Sequence, residues 1–139
     1  MARLHRGIGL HGLAIVVLAA ACQAGAAAAG EPLTGRWAVR IVQSATGCEW
    51  TGEVRLDEND GTLTGEGSAT ASKDSRDPRR CPPLKGEVSG TVRGDVVRFG
   101  FATGRLGKAE FEGKVVAKSK QMHGLWSTRS AAGQWAAAR

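Results

Sequence analysis

The sequence predicts an all-β fold: an eight-stranded antiparallel up-and-down β-barrel behind an N-terminal signal peptide. Three observations carry that prediction. Apolar and polar residues alternate with period two through nearly every run after residue 34, as in "CEWTGEVRL" and "LKGEVSGTV", which is the pattern of strands with one buried and one solvated face. No stretch after residue 34 shows helical periodicity, and glycine recurs through most of its runs. Turn signals recur at short intervals, and eight short strands joined by hairpins are what a closed meander needs to remove both sheet edges.

The chain opens with a leader. Arg3 and Arg6 precede the apolar run "LAIVVLAAA" from Leu13 to Ala21, and small residues follow in "QAGAAAAG". Positive region, apolar core and small-residue cleavage site in that order read as a signal peptide over residues 1–30, cleaved after Ala29. The run is about half the ~20 residues of a membrane span, so no span is expected. The alternative fate is lipidation at Cys22, for which Ala19 stands where a large aliphatic residue is wanted. Residues 31–139 then form a single domain of roughly 110 residues, enough for one core, in a periplasmic or secreted protein.

Within that domain strands are expected at 35–43, 48–57, 62–71, 84–93, 95–102, 108–117, 120–129 and 133–139. The turns between them lie at "ENDG", "RGD", "TGRLG", "KSK" and "SAAG", with a longer loop around "KDSRDPRR". Cys48 and Cys81 are the isolated pair left in an oxidising compartment and read as a disulfide. In a meander the starts of the second and fourth strands share one end of the barrel, where such a bridge fits. It would stabilise the fold by about 3–4 kcal/mol in the chain-entropy model. Glycines recur on the inward face near strand centres, which strong coiling or close approach of a bulky neighbour would require.

Two Gly-x-Trp motifs bracket the domain, "TGRW" near its start and "GQWAAAR" at its finish. They resemble the calycin group of barrels, which includes lipocalins and avidins. There a first-strand Trp closes one end and a basic residue of the last strand packs across its indole, which makes Trp37 and Arg139 a structural pair. The order "LTGRW", "GTLTGEG", "PPLKG", "VVRFGF", "FEGK", "GLWSTRS", "GQWAAAR" is most similar to avidin and covers nearly the whole domain. The resemblance implies that Trp126 and Trp135 correspond to the ring-sandwiching tryptophans, the latter through a neighbouring subunit. The polar half of the biotin site is not matched: Val39, Gly67 and Ala69 stand where the family has hydrogen-bonding groups, and the last-strand Asp or Asn would fall beyond Arg139. Biotin is therefore not the expected ligand, and an avidin-type tetramer is not supported.

Charge and chemistry exclude several classes. The whole chain carries +6, and its densest patch, "KDSRDPRR", mixes in Asp74 and Asp77 and holds no aromatic for base stacking, so no nucleic-acid partner is expected. His123 is the sole histidine of the domain and is expected on the outer face, too few for a zinc site or a triad. Glu110 and Glu112 read as an outer-face charge ladder with Lys114, and Arg93-Gly94-Asp95 as a hairpin. No enzyme, cofactor or metal is expected. What remains is an inward face rich in aromatics, with Trp37, Trp50, Phe99, Phe101, Trp126 and Trp135 as the candidate ligand-binding residues. Eight strands enclose either a packed core or room for one small ligand. Two functions follow: a carrier of a small apolar or aromatic ligand in the cell envelope, or a protein-interaction module, such as an exported protease inhibitor, that uses the barrel as a scaffold. An open cavity would favour the first; a filled barrel with a protruding "KDSRDPRRCPP" loop would favour the second.

Overall fold

A computed structural model describes residues 32–103, 107–116 and 118–139. The segment expected to be a signal peptide, with Cys22 and Ala29, lies outside the described residues. Eight strands follow in chain order: β1 (Gly35–Gln43), β2 (Cys48–Asn59), β3 (Thr62–Ala71), β4 (Leu84–Arg93), β5 (Val96–Thr103), β6 (Gly107–Val116), β7 (Gln121–Ser127) and β8 (Ala132–Ala138). Each pairs antiparallel with its neighbour, and β1 pairs with β8 in the register Ala38↔Ala138 to Val42↔Gln134, closing the barrel.

The boundaries differ from expectation where turn chemistry decides. β2 runs to Asn59 rather than 57 because Asp60 and Gly61, at φ 50° and 79°, supply the positive φ pair of a tight two-residue hairpin. β7 stops at Ser127 rather than 129 because Thr128 takes over the chain: its Oγ1 accepts from the N–H of Ser130 and Ala131, and its own N–H donates to Ala131 O. Such a hydroxyl-closed turn satisfies the backbone locally and ends the ladder.

Glycine on the inner wall answers to backbone coiling. Gly113 and Gly124 face each other across β6 and β7, and a Cβ on either would meet the backbone of the opposite strand. Gly133, first of the second Gly-x-Trp, has Val42 O and the Trp126 indole against it, leaving no room for a side chain. The first, Gly35, sits at φ 136°, a conformation that only glycine adopts without strain.

That bend sends the chain under the barrel and seals one end. Trp37 is wholly buried, and its indole N–H donates to Leu33 O at 2.8 Å. Arg139 lies across the ring, Cζ 4.6 Å from its centroid. The guanidinium also donates from Nε to Ser119 O (2.8 Å), from Nη1 to Thr34 O (3.0 Å) and from Nη2 to Pro32 O (3.0 Å). One side chain thus joins the segment before β1, the β6–β7 turn and the end of β8. Lys118 and Ser119 in that turn hold φ of 55° and 62°, a left-handed conformation that costs non-glycine residues energy unless the surroundings hold it. Leu33, Leu56, Leu63, Val97 and Met122 complete a core under 2% exposed at this end.

Replacing Arg139 by Ala is expected to destabilise the barrel by about 2 kcal/mol or more, since a cation–π contact contributes about 0.5–2 kcal/mol and each hydrogen bond about 1. Arg139→Lys should recover only part of this, because one ammonium nitrogen cannot span the three carbonyls that three separate guanidinium nitrogens reach. Thermal melts of the three proteins check it; identical midpoints would show that the plug is not structural.

Candidate functional site

The opposite end is not sealed. A cavity of about 430 Å³ occupies it, with Trp50, Leu84, Phe101, Phe111, Trp126 and Ile41 as apolar walls and Gln43, Thr46, Asp77, Arg80, Thr103, Thr128 and Ser130 toward the rim. Below it, Val39, Val54, Gly67, Ala69, Phe99, Trp135 and Ala137 surround a void of only about 30 Å³. That space is about large enough for one water, but an apolar lining gives a water nothing to bond. The barrel is therefore packed at its closed end, tight at its middle and open at its far end.

An aromatic stack separates the levels. Phe111 lines both the cavity and the void. Its ring is 6.4 Å from Trp126 at an interplanar angle of 26° and 5.8 Å from Trp135 edge-on, while Phe99 and Trp135 meet at 5.4 Å and 75°. Phe99 and Phe111 stack at 4.9 Å and 7°. Such pairs fix one another's orientation, so the cavity floor is preformed.

The polar handles of the tryptophans are all taken. Trp50 Nε1 donates to Pro82 O (2.8 Å), Trp126 Nε1 to Val42 O (3.1 Å) and Trp135 Nε1 to Glu112 O (3.3 Å). A molecule in the cavity meets indole faces, not indole donors. Of the six residues singled out in the sequence, Trp50, Phe101 and Trp126 come together on the cavity wall. Phe99 and Trp135 border the small void instead, and Trp37 lies at the closed end beneath Arg139. Phe111 was missing from that set although the alternation in "AEFEG" places it inward; its central position follows from strand pairing, Phe99↔Phe111↔Trp126, which only the register reveals.

One wall of the mouth is the long β3–β4 loop, and it is held down at several points. The Sγ atoms of Cys48 and Cys81 are at bonding distance, with Cα atoms 5.7 Å apart. Ser75 Oγ donates to Glu49 O and accepts from Glu49 N–H, Ser72 N–H donates to the same carbonyl, and Arg76 N–H donates to Gly47 O. Asp77 caps a single 3-10 turn, Pro78–Arg80, by accepting from Arg79 N–H. The loop folds against the β1–β2 turn and passes through Pro82, whose carbonyl is the one that holds Trp50.

Outside the barrel, His123 is exposed, and Glu112 and Glu110 pair with Arg98 (3.1 Å) and Lys108 (3.4 Å), while Lys114 lies 3.9 Å from Asp95. Gly94 and Asp95 form the β4–β5 hairpin, with Gly94 at φ 60°. Arg40 donates to Glu49 at 2.6 Å, and this hydrogen bond holds the Glu49 carboxyl below the ordinary carboxylate range and the Arg40 guanidinium above its own, burial opposing both. Among the described residues no helix is long and apolar enough to cross a membrane. Compared with models of known protein families and with curated proteins, the chain matches none.

Two outcomes are expected. Cys48→Ser/Cys81→Ser protein should unfold with about 3–4 kcal/mol less stability, measured by denaturant titration; unchanged stability would show that the loop is held without the bond. Because the folded Glu49 is depressed, its contribution is present at neutral pH and lost as pH falls through the depressed value. Melting temperatures of wild type and Glu49→Gln should thus converge as pH falls from neutral to below the ordinary carboxylate range; a constant offset at all pH would contradict it.

Proposed function

We propose that this chain is an exported, non-catalytic binding protein that takes a small apolar or aromatic ligand into the open end of its barrel. The cavity of about 430 Å³ carries the reading: it falls in the size range of small-molecule pockets, is concave and has a rigid aromatic wall with polar groups confined to its rim. An open cavity was the feature expected to separate a carrier from an interaction module. The β3–β4 loop supports the same choice, since it is folded against the barrel as a wall of that cavity.

The leader and the Cys48–Cys81 pair support export to an oxidising compartment. The closed eight-stranded antiparallel architecture is consistent with a calycin-like barrel, and we extend this to a distant avidin-like relationship with a changed ligand. At the positions where that family hydrogen-bonds biotin, Val39, Gly67 and Ala69 border an apolar void too small for a ring. A urea buried there would lose its partners, a loss that discriminates strongly.

Native mass spectrometry of the protein purified from an exporting host tests the proposal. The expected spectrum shows added mass that disappears on denaturation, on a chain two hydrogens light. Bare protein, together with no binding of apolar probes, would overturn the carrier reading and favour the interaction module.

A further inference from the structure

The proposed carrier role leaves the chemistry of the ligand open, and the distribution of charge around the two barrel ends narrows it. We infer that the ligand is an anionic amphiphile, an apolar or aromatic body bearing a carboxylate, sulfonate or phosphate head, and that Arg80 at the rim receives the head. This rests on the reading of the open end as a ligand pocket.

The cavity has a steep polarity gradient. Its apolar walls include Phe111, which has no polar atom, and Trp50 and Trp126, whose indole N–H groups are already bonded to backbone carbonyls, so a buried polar group on the ligand would find no partner among them and would cost free energy. Several rim hydroxyls are also spoken for: Thr46 Oγ1 donates to Gln43 O and accepts from Cys48 N–H, and Thr128 Oγ1 accepts from two backbone N–H groups. A polar head must therefore stay at the mouth, where the charged lining residues are Asp77 and Arg80.

Of those two, only Arg80 is disposed to meet a ligand. Asp77 already accepts from Arg79 N–H as the cap of the 3-10 turn. The Arg80–Asp77 contact is 3.4 Å between side chains 87% and 50% exposed, a class of ion pair that contributes about 1 kcal/mol or less. The guanidinium can exchange it for an incoming anion with little loss. The surroundings favour the same sign. Around the mouth the β3–β4 and β7–β8 loops carry Lys73, Arg76, Arg79, Arg80 and Arg129 against Asp74 and Asp77. At the closed end, Arg93, Lys118, Lys120 and Arg139 are matched by Asp57, Glu58, Asp60 and Asp95. The open end is thus the cationic pole of a barrel whose other end is balanced, an arrangement that draws anions to the mouth.

The backbone that carries Arg80 is also fixed in place. The residue immediately precedes Cys81, bonded to Cys48 at the start of β2, and Pro82, whose carbonyl accepts from the Trp50 indole. The base of the Arg80 side chain and the aromatic wall are consequently held at one spacing, apolar surface below and a mobile guanidinium above. A fully buried ion would carry a large desolvation penalty; a head at this rim keeps its solvent while its body is buried.

A matched pair of fluorescent probes provides the test: anilinonaphthalene sulfonate and N-phenylnaphthylamine share an aromatic body and differ in the sulfonate. Both should bind, the sulfonate roughly three- to tenfold tighter at low salt, with the margin shrinking at high salt. Arg80→Gln should erase the margin and leave the neutral probe unchanged. Asp77→Asn, which keeps the capping oxygen and removes the competing charge, should widen it. Arg79→Gln, outside the cavity lining, serves as the control and should change the margin far less. Equal affinity for the two probes, or a margin insensitive to Arg80→Gln, overturns the anionic inference while leaving the pocket. Binding of neither probe removes the pocket reading and this inference with it.

Discussion

Pairing of β1 with β8 is the contact from which the other features follow. An antiparallel sheet of eight strands that closes on itself has an interior about as wide as the side chains that fill it, so every inward residue competes for one narrow column. The tight coiling that closure demands brings backbones together at Gly113 and Gly124, where no side chain is tolerated. Large rings take up the volume that glycine releases: Phe99, Phe111, Trp126 and Trp135 stack in one connected group rather than lining separate strands. Cavity and core are therefore set by the same constraint, and the cavity is what the rings leave unfilled.

The two ends resolve the problem of an open tube differently. At one end Arg139 fastens three segments over Trp37. At the other, a loop that could have crossed the mouth is drawn to its side by Cys48–Cys81, by the serine contacts to Glu49 and by Pro82. The disulfide fixes the placement of the loop as well as adding stability. It sets where the rim lies relative to the aromatic wall. One sealed and one propped end support the proposed retention of a small molecule over presentation of a protruding loop.

The architecture was legible in the sequence because period-two alternation and turn residues report directly on strands and hairpins. Strand ends departed by one or two residues where a local device operates, as with the Asp60–Gly61 φ values and the Thr128 hydroxyl. The inward set was legible for the same reason; Trp50, Phe101 and Trp126 share a wall in the fold. What alternation cannot report is height within the barrel. Trp37, Phe99 and Trp135 are as inward as Trp50, yet they sit below the cavity, because depth depends on register and stagger between strands distant in sequence. Phe111 was overlooked as a site residue for that reason. The mouth was also beyond reach, since Arg80, Gln43 and Thr128 come from loops and strand ends that only closure brings together.

The barrel is sealed beneath Trp37 and open beside Trp50 and Trp126. The four tryptophans report on it separately, each giving one indole N–H signal in a nitrogen–proton correlation spectrum. Saturating the protein with N-phenylnaphthylamine should move the Trp50 and Trp126 signals and leave Trp37 in place. A Trp37 shift as large as theirs, or four signals that ignore the probe, would contradict the account.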